Sequence, residues 1–271
     1  MNIAVLPFKI MKRTFRILRW KWQLGSHVQR RQSNKKRRNS SRFARYHCRI
    51  VWTVRILLLL LALDIFYIIT IWPNWDRFKN GPVTKSAFIK NYEKQRRTDR
   101  SLPALKWQPV NMTDISPTIQ RAVVVAEDGR FYQHSGFDVI ALKDAMGYNI
   151  ERMSMKYGAS TISQQVVKNM FFSPSRNPLR KWHELVFTVS MEFFIPKQRI
   201  LATYLNIAEF GPGIYGVEAA AMHYWGTSAK YLTRKEAIEL AASLPGPKNH
   251  NPKTRTEFFI ERTEKIARYM K

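Results

Sequence analysis

The longest apolar stretch of the chain extends from Trp52 to Trp72 and is long enough to cross about 30 Å of hydrocarbon as a helix. Asp64, near its middle, opposes insertion by about 2.5–3.5 kcal/mol, whereas each Leu, Ile, Phe or Val favours it by about 0.3–0.6 kcal/mol. The apolar residues are numerous enough to outweigh the single acid. The pattern therefore predicts one transmembrane helix over residues 51–72, too far from the start for a typical cleaved signal peptide.

Beyond residue 72 a polar segment gives way to helical periodicity. Residues 73–100 are polar and predict a stalk or linker with one short helix. Over residues 101–271 the apolar positions recur at helical spacing, with an N-cap and first-turn proline at Ser116-Pro117 and a capping box from Thr233 to Glu236. No alternating run predicts a core strand, so this domain is expected to be mainly α. Further helices are predicted near residues 138–151, through 166–171, from 178 to 195, around 200–205, and at 217–225, 234–243 and 256–270.

The charge of the chain is concentrated before the apolar stretch. The chain carries 46 Lys and Arg against 19 Asp and Glu, and sixteen of the basic residues lie in residues 1–55, which contain no acid. The positive-inside rule therefore predicts that residues 1–50 form a basic cytoplasmic tail and that the folded domain lies on the far side of the membrane. Nucleic acid is not an expected partner of a domain in that position. A single cysteine, Cys48, excludes an internal disulfide framework.

A pair of acids, Glu127 and Asp128, ends the first predicted helix of the domain. Acids at this end face the negative pole of the helix dipole, which raises the pKa of a carboxyl group and suits a general base near neutral pH. The alternative is an ordinary solvated pair. Ser160 and Thr161 precede another helix and either cap it or help to bind an anion. Gln164 and Gln165 are harder to explain as caps, because they point to different faces.

A group of cations follows this helix. Arg176, Arg180 and Lys181 lie within a few residues of one another and could bind an anionic group, with Glu184 close behind them. Since Arg180 and Glu184 are four residues apart, they could equally form a surface ion pair worth a few tenths of a kcal/mol.

Five motifs, in order over residues 122–252, resemble those of the family 51 peptidoglycan glycosyltransferases. Ala202 and Ser163 depart from the family pattern, which usually has Glu and Thr at these positions. The only Ser-x-x-Lys lies at Ser33 to Lys36 and no Lys-Thr-Gly exists, so the chain resembles the stand-alone members of the family rather than the bifunctional penicillin-binding proteins. The motifs are found at residues 126–136, 160–169, 180–184, 204–220 and 236–252.

The resemblance implies a lysozyme-like, mainly α glycosyltransferase domain that polymerises lipid II with inversion. It implies that Glu127 is the general base and that Glu184 is also catalytic, orienting either the cations that receive the diphosphate leaving group or a divalent metal. No cofactor and no metal ligands are predicted, although a divalent cation, Mg²⁺ or Mn²⁺, is a candidate for assisting diphosphate departure. The implied substrate-binding residues are Asp128, Phe131, His134, Ser160, Thr161, Gln164, Gln165, Lys168, Asn169, Arg176, Arg180 and Lys181.

The resemblance also implies partners and a location. The expected partners are lipid II, the glycan linked to undecaprenyl diphosphate, membrane lipids and other cell-wall synthesis proteins. The expected location is the bacterial inner membrane, with the catalytic domain in the periplasm. Exposed Met153, Met155, Phe171 and Phe172 are expected to dip into lipid. A lytic transglycosylase or muramidase and a non-enzymatic cell-wall scaffold remain alternatives.

Overall fold

The computed structural model describes residues 46–151, 160–174 and 178–270, together with the single residue Trp20. Most of the predicted basic tail lies outside the described residues, as do Arg176, Met153 and Met155. The chain divides into two compact units, residues 1–72 and residues 73–271.

The first unit contains one described long helix, α1 (Tyr46–Thr70). It is long and apolar enough to cross a membrane, and most of its side chains are exposed. Leu57 and Phe66, for example, are 59% and 66% exposed. The helix begins earlier than the predicted span of 51–72 and is compatible with a membrane anchor.

The second unit is mainly helical, as predicted. Glycines lead into α9 at the predicted residue, and the predicted capping box of Thr233 and Glu236 begins α10. Its helices are α2 (Trp75–Asn80), α3 (Ala87–Thr98), α4 (Pro117–Glu127), α5 (Val139–Glu151), α6 (Ile162–Phe171), α7 (Pro178–Phe194), α8 (Lys197–Ile207), α9 (Val217–Trp225), α10 (Arg234–Ser243) and α11 (Glu257–Tyr269).

Residues 73–100 differ from the predicted stalk, because they form α2 and α3 and belong to the second unit. Trp75 of α2 is buried and makes edge-to-face contacts with Phe78 and Phe171. On α3, Ile89 and Tyr92 are buried. Each helix is mostly polar and buries only one or two large side chains. This polar composition explains why the segment resembles a linker in the sequence.

Three short strands form a small sheet that the sequence pattern does not predict. Their order is β1 (Lys106–Trp107), β3 (Ile214–Tyr215) and β2 (Glu209–Gly211), with β1 parallel and β2 antiparallel to β3. Strands of two or three residues are too short to show the alternation by which strands are recognised. The sheet ties the segment before α4 to the connection between α8 and α9.

The core of the second unit lies where α4 packs on α10 and α6 packs on α7 and α8. Phe172 is only 7% exposed and contacts His183 and Phe187, so the prediction that it dips into lipid is wrong. Phe171 is half-buried and packs against Trp75 and Phe78. Both rings fill the space between helices, because α7 covers the end of α6.

Gly216 provides a test of how tightly the β3–α9 turn is built. Its φ is +85°, and a Cβ atom there would lie 2.8 Å from the carbonyl oxygen of Asn206. We expect Gly216→Ala to destabilise the domain by about 1–3 kcal/mol, because an L-residue is strained in this backbone region and has no space. The thermal unfolding midpoint of the full chain in detergent, followed by circular dichroism, measures the effect.

The matched control is Gly147→Ala, on α5, where a Cβ atom meets nothing within 4 Å. Helical propensity alone should then stabilise the chain by about 0.5–1 kcal/mol. Equal shifts in the two variants would contradict the prediction.

Candidate active site

The carboxylate of Glu127, the last residue of α4, is held by donors from two other helices. Arg262 of α11 approaches Glu127 Oε1 with its Nη2 at 2.7 Å, and Gln165 of α6 donates from Nε2 to Glu127 Oε2 at 3.0 Å. The Glu127 side chain is 12% exposed. Both of its oxygens therefore accept hydrogen bonds from protein groups while the side chain keeps a narrow opening to solvent.

A second layer of contacts fixes these donors. Tyr204 of α8, which is 1% exposed, donates its hydroxyl to Gln165 Oε1 at 3.0 Å. This bond sets the orientation of the amide, so that its NH₂ group faces Glu127. Arg262 Nη2 also donates to the carbonyl of Ala126 at 3.0 Å. Four helices therefore meet at one carboxylate.

Burial raises the pKa of the Glu127 carboxyl above its usual range. The hydrogen bond from Gln165 and the charge of Arg262 act in the opposite direction, and the neighbouring charge of Asp128 adds to the rise. Burial also raises the pKa of the Tyr204 hydroxyl well above its ordinary value, so Tyr204 remains a donor. A carboxylate with a raised pKa that is still stabilised as an anion is suited to accept a proton near neutral pH.

A cavity of about 570 Å³ opens beside Glu127, between α5 and the start of α6. Its size falls within the range of small-molecule sites, about 300–1,000 Å³. The wall carries three further carboxylates besides Glu127 and one cation, so it is strongly polar on one side. The lining residues are Glu127, Asp128, Gly129, Arg130, Asp138, Ala141, Asp144, Ala145, Tyr148, Ser160 and Thr161.

Three residues predicted to bind substrate are buried beneath this cavity. Phe131 has no exposed surface, and the His134 side chain is 7% exposed with its Nε2 2.9 Å from Asp128 Oδ1. Asp128 Oδ2 accepts from the amide of Ile162 at 3.0 Å, at the start of α6. These contacts show that Phe131 and His134 position the loop, and their role in substrate binding stays a prediction. Asp128 combines this anchoring with a place in the cavity wall.

The start of α6 also corrects one expectation about the adjacent glutamines. Thr161 caps the helix, and Gln164 completes a capping box by accepting from the Thr161 amide at 3.0 Å. Gln164 is therefore a cap, a role that was harder to explain from the sequence because the two glutamines point to different faces. Gln165 points to another face and reaches Glu127. Ser160 is exposed in the cavity wall, and Thr161 is buried with its hydroxyl bonded to Gly136 O.

In the described structure, the predicted cations contact side chains other than Glu127. Lys168 of α6 is half-buried, with Nζ 5.7 Å from the ring of Phe88, and the adjacent Asn169 is also half-buried. On α7, Glu184 lies between Arg180 Nε at 3.0 Å and Lys181 Nζ at 3.4 Å. Its side chain is 4% exposed, so this is a buried ion pair rather than the surface pair considered above. The described contacts of these residues do not include Glu127.

Among the described residues, Asp128, His134 and Asp138 place possible ligand atoms within 4.8 Å of one another. Both Asp128 oxygens already accept hydrogen bonds, and Asp138 Oδ1 accepts the amides of Ile140 and Ala141. Glu184 faces two cations. Mg²⁺ and Mn²⁺ prefer carboxylate oxygens and water, so Asp128 and Asp138, through their remaining lone pairs, are the described carboxylates that could hold such an ion.

Arg262 and Tyr204 are the site residues that sequence reasoning missed. Arg262 lies three residues after Phe259 and four before Ile266, both of which are buried on α11. A cation on the apolar face of an amphipathic helix requires a buried anion as its partner. The spacing of Arg262 from these apolar residues was therefore the sequence signal that could have predicted its place in the site. Tyr204 lay within the fourth motif, but nothing in the sequence linked its hydroxyl to Gln165.

Comparison with known proteins places the chain in a defined class. Residues 95–271 match the transglycosylase family, and the chain belongs to that family. This confirms the resemblance drawn from the five motifs. The described site residues all lie within the matched segment.

Individual relatives agree with this assignment, and each is named biosynthetic peptidoglycan transglycosylase. The relative from Shewanella oneidensis is 47% identical over 161 residues, covering 59% of this chain and 69% of the relative. The relative from Aeromonas hydrophila is 48% identical over 164 residues, covering 60% and 68%. The relative from Laribacter hongkongensis is 37% identical over 222 residues, covering 81% and 96%.

Removing Arg262 tests the ion pair independently of activity. In Arg262→Ala, Gln165 is the remaining side-chain donor to the buried Glu127, so the folded-state pKa of Glu127 should rise further. A carboxyl group whose pKa is higher in the folded than in the unfolded state destabilises the folded state above its folded-state pKa, and this penalty shrinks as the pH falls through that pKa. We therefore expect a destabilisation of about 1–3 kcal/mol at neutral pH that shrinks as the pH falls through the Glu127 pKa.

Chemical unfolding of the full chain in detergent at several pH values measures this effect. Arg268→Ala, on the exposed face of the same helix, is the control and should show little change at any pH. A penalty for Arg262→Ala that does not depend on pH would mean that packing of the side chain, rather than its charge, matters.

Proposed function

We propose that this protein is a peptidoglycan glycosyltransferase that polymerises glycan chains from lipid II in cell wall biogenesis. Membership of the transglycosylase family and the names of the relatives support this activity. The observation that carries it is the environment of Glu127: a carboxylate at the wall of a cavity of ligand size, with a raised pKa and a hydrogen-bond donor at each oxygen.

In the proposed reaction, the 4-hydroxyl of lipid II attacks the anomeric carbon of the growing glycan. The new glycosidic C–O bond forms as the bond to undecaprenyl diphosphate breaks, and the diphosphate departs with the bonding electrons and inversion at carbon. Glu127 takes the hydroxyl proton as the nucleophile attacks. An alcohol is a weak nucleophile, and such a base typically accelerates the step about 10²–10⁴-fold.

The donors around Glu127 favour a base over an acid. A glycan-cleaving enzyme needs a carboxylic acid that gives its proton to a poor sugar leaving group. Arg262 and Gln165 present N–H groups to both oxygens of Glu127, which stabilises the anion relative to the protonated acid. A scaffold without catalytic activity would have no use for a nearly buried charged network, which costs desolvation free energy.

The diphosphate leaving group needs positive charge rather than a proton donor. Lys168, Arg176 and Arg180 are proposed to supply it, because cationic donors stabilise a departing phosphate more strongly than neutral ones. The buried Glu184 holds Arg180 and Lys181 and is proposed to set their orientation. Assistance by a divalent cation is a separate hypothesis, and no step here depends on it.

The proposed location is the bacterial inner membrane, with residues 1–50 in the cytoplasm and the catalytic domain in the periplasm. The apolar helix α1 and the sixteen basic residues among residues 1–55 support this topology. An anchor keeps the domain beside a substrate whose carrier lipid remains in the bilayer. Association with other cell-wall synthesis proteins is proposed on the same basis.

Glu127→Gln tests the assignment of the base. The amide keeps the size of the side chain but accepts a proton far less readily, so glycan formation from lipid II should fall at least about 10²–10⁴-fold. Lipid II should still bind, because the diphosphate is held by cations. Gel analysis of glycan products beside a lipid II binding assay, with the full chain in detergent, measures both.

Asp144→Asn is the matched control, since Asp144 is an exposed carboxylate in the same cavity wall. We expect it to retain most of the activity. Full polymerisation by Glu127→Gln would contradict the proposed mechanism.

Lys168→Ala tests the leaving-group site. Loss of a cationic hydrogen bond to the diphosphate should lower kcat/KM by about 10–100-fold. Lys143→Ala, on the exposed face of α5, removes the same charge elsewhere and should have little effect. Steady-state polymerisation rates compare the two variants. Equal rates would show that Lys168 does not contribute to the leaving-group site.

A further inference from the structure

A second cavity, of about 330 Å³, lies between α2, α3, α6 and α8. It shares no lining residue with the cavity beside Glu127. Nothing in the proposed transfer reaction uses its side chains. Its wall combines three cations with several large apolar side chains, a composition that suits an amphiphilic ligand.

The polar part of this cavity is basic. Arg77, Lys90 and Arg199 line it, and among the described residues its wall contains no Asp or Glu. Arg199 is fixed in place by donating from Nε to Phe78 O at 2.9 Å and from Nη2 to Gly81 O at 2.5 Å. Arg77 and Lys90 are exposed and free to move toward a ligand. Three cations without a counter-charge favour an anion, and a phosphate group suits both Arg and Lys.

The apolar part of the cavity is built from an aromatic cluster. Phe171 and Phe78 lie 5.9 Å apart, and Trp75 packs against both from behind. Met170 and Val83 complete this side of the wall. Methionine adapts readily to irregular apolar groups. The cavity therefore offers cations for a head group and apolar side chains for the start of a hydrocarbon chain.

Two residues that line the cavity closely follow α1 in the chain. Pro73 and Asn74 line it, and they follow Thr70, the last residue of α1, by three and four positions. Since consecutive Cα atoms are 3.80 Å apart, at most about 11 Å of chain separates Thr70 from Pro73. If α1 crosses the membrane, this edge of the cavity lies within reach of the lipid head groups. Its volume suits a head group and the first part of a chain rather than a whole lipid.

We propose that this cavity binds the head group of an anionic phospholipid, with phosphatidylglycerol as the representative ligand. The phosphate is held by Arg77, Lys90 and Arg199, and the adjoining part of the acyl chain packs against Phe78 and Phe171. The site is separate from the cavity of the transfer reaction and serves to hold the domain at the membrane surface.

The test compares two double charge reversals on the same pair of helices. Arg77→Glu/Lys90→Glu changes the cavity, whereas Lys79→Glu/Lys94→Glu changes exposed cations of α2 and α3 that do not line it. Both variants alter the net charge equally. Each full chain is purified in detergent, checked for helical content by circular dichroism, and titrated with dioctanoyl phosphatidylglycerol. Native mass spectrometry then counts the lipid molecules bound to each protein.

We expect the unaltered chain and the Lys79/Lys94 variant to bind one phosphatidylglycerol with similar affinity. The Arg77/Lys90 variant should bind at least about tenfold more weakly, and the charge-conserving Arg77→Lys/Lys90→Arg variant should retain most of the binding. Dioctanoyl phosphatidylcholine, which carries no net charge, should bind the unaltered chain at least about tenfold more weakly than phosphatidylglycerol.

Three results would overturn the proposal. Equal weakening in both charge-reversed variants would mean that general surface charge attracts the lipid. Equal affinity for phosphatidylcholine would mean that the cations do not select an anionic head group. Displacement of phosphatidylglycerol by a lower concentration of a polyprenyl phosphate would assign the cavity to the carrier lipid of the substrate instead.

Discussion

The nearly buried carboxylate of Glu127 is the constraint around which the domain is arranged. A charged group with little access to water must be compensated by protein donors, and those donors must be held where the charge is. Arg262 comes from α11 and Gln165 from α6, while Tyr204 of α8 fixes the amide. The packing of α10 against both α4 and α11 then holds the two ends of the Glu127–Arg262 pair together. Moving any of these helices would leave a charge without its partner.

Helix α6 connects this pair to the rest of the domain. Its first turn is fixed by Thr161 and by the Asp128 carboxylate, which also suits the positive end of the helix dipole. Gln165 follows one turn later at the active site, and Phe171 ends the helix against the aromatic cluster of the second cavity. Thr161, the capping residue of α6, therefore lines the cavity beside Glu127, and Met170 and Phe171 at the other end of the helix line the second cavity. Its ends are fixed by different parts of the domain, which gives it little freedom to shift.

The sequence predicted those features that depend on neighbouring residues. Ser116, Thr233 and the glycines before α9 are local signals, and the helices that they mark begin where expected. The family motifs further located the candidate base. Features that depend on distant partners were not predicted: the role of Arg262 becomes clear only when α11 is placed beside α4. Likewise, α2 and α3 resembled a linker because the surfaces that bury Trp75 and Ile89 belong to other helices.

The active site depends on contacts between residues that are far apart in the sequence, and these contacts determine when it forms during folding. Lys106 of β1 pairs with Ile214 of β3, and Trp107 donates its indole N–H to Asn206 O. Glu127 and Arg262 are separated still further, by 135 positions along the chain. Contacts of such sequence separation close large loops and form slowly. During synthesis, α4 and α6 emerge long before α11, so Arg262 is the last of the groups around Glu127 to be synthesised. The newly made protein is thus expected to acquire its final site only when its last helix docks, which delays catalytic competence until the domain is whole.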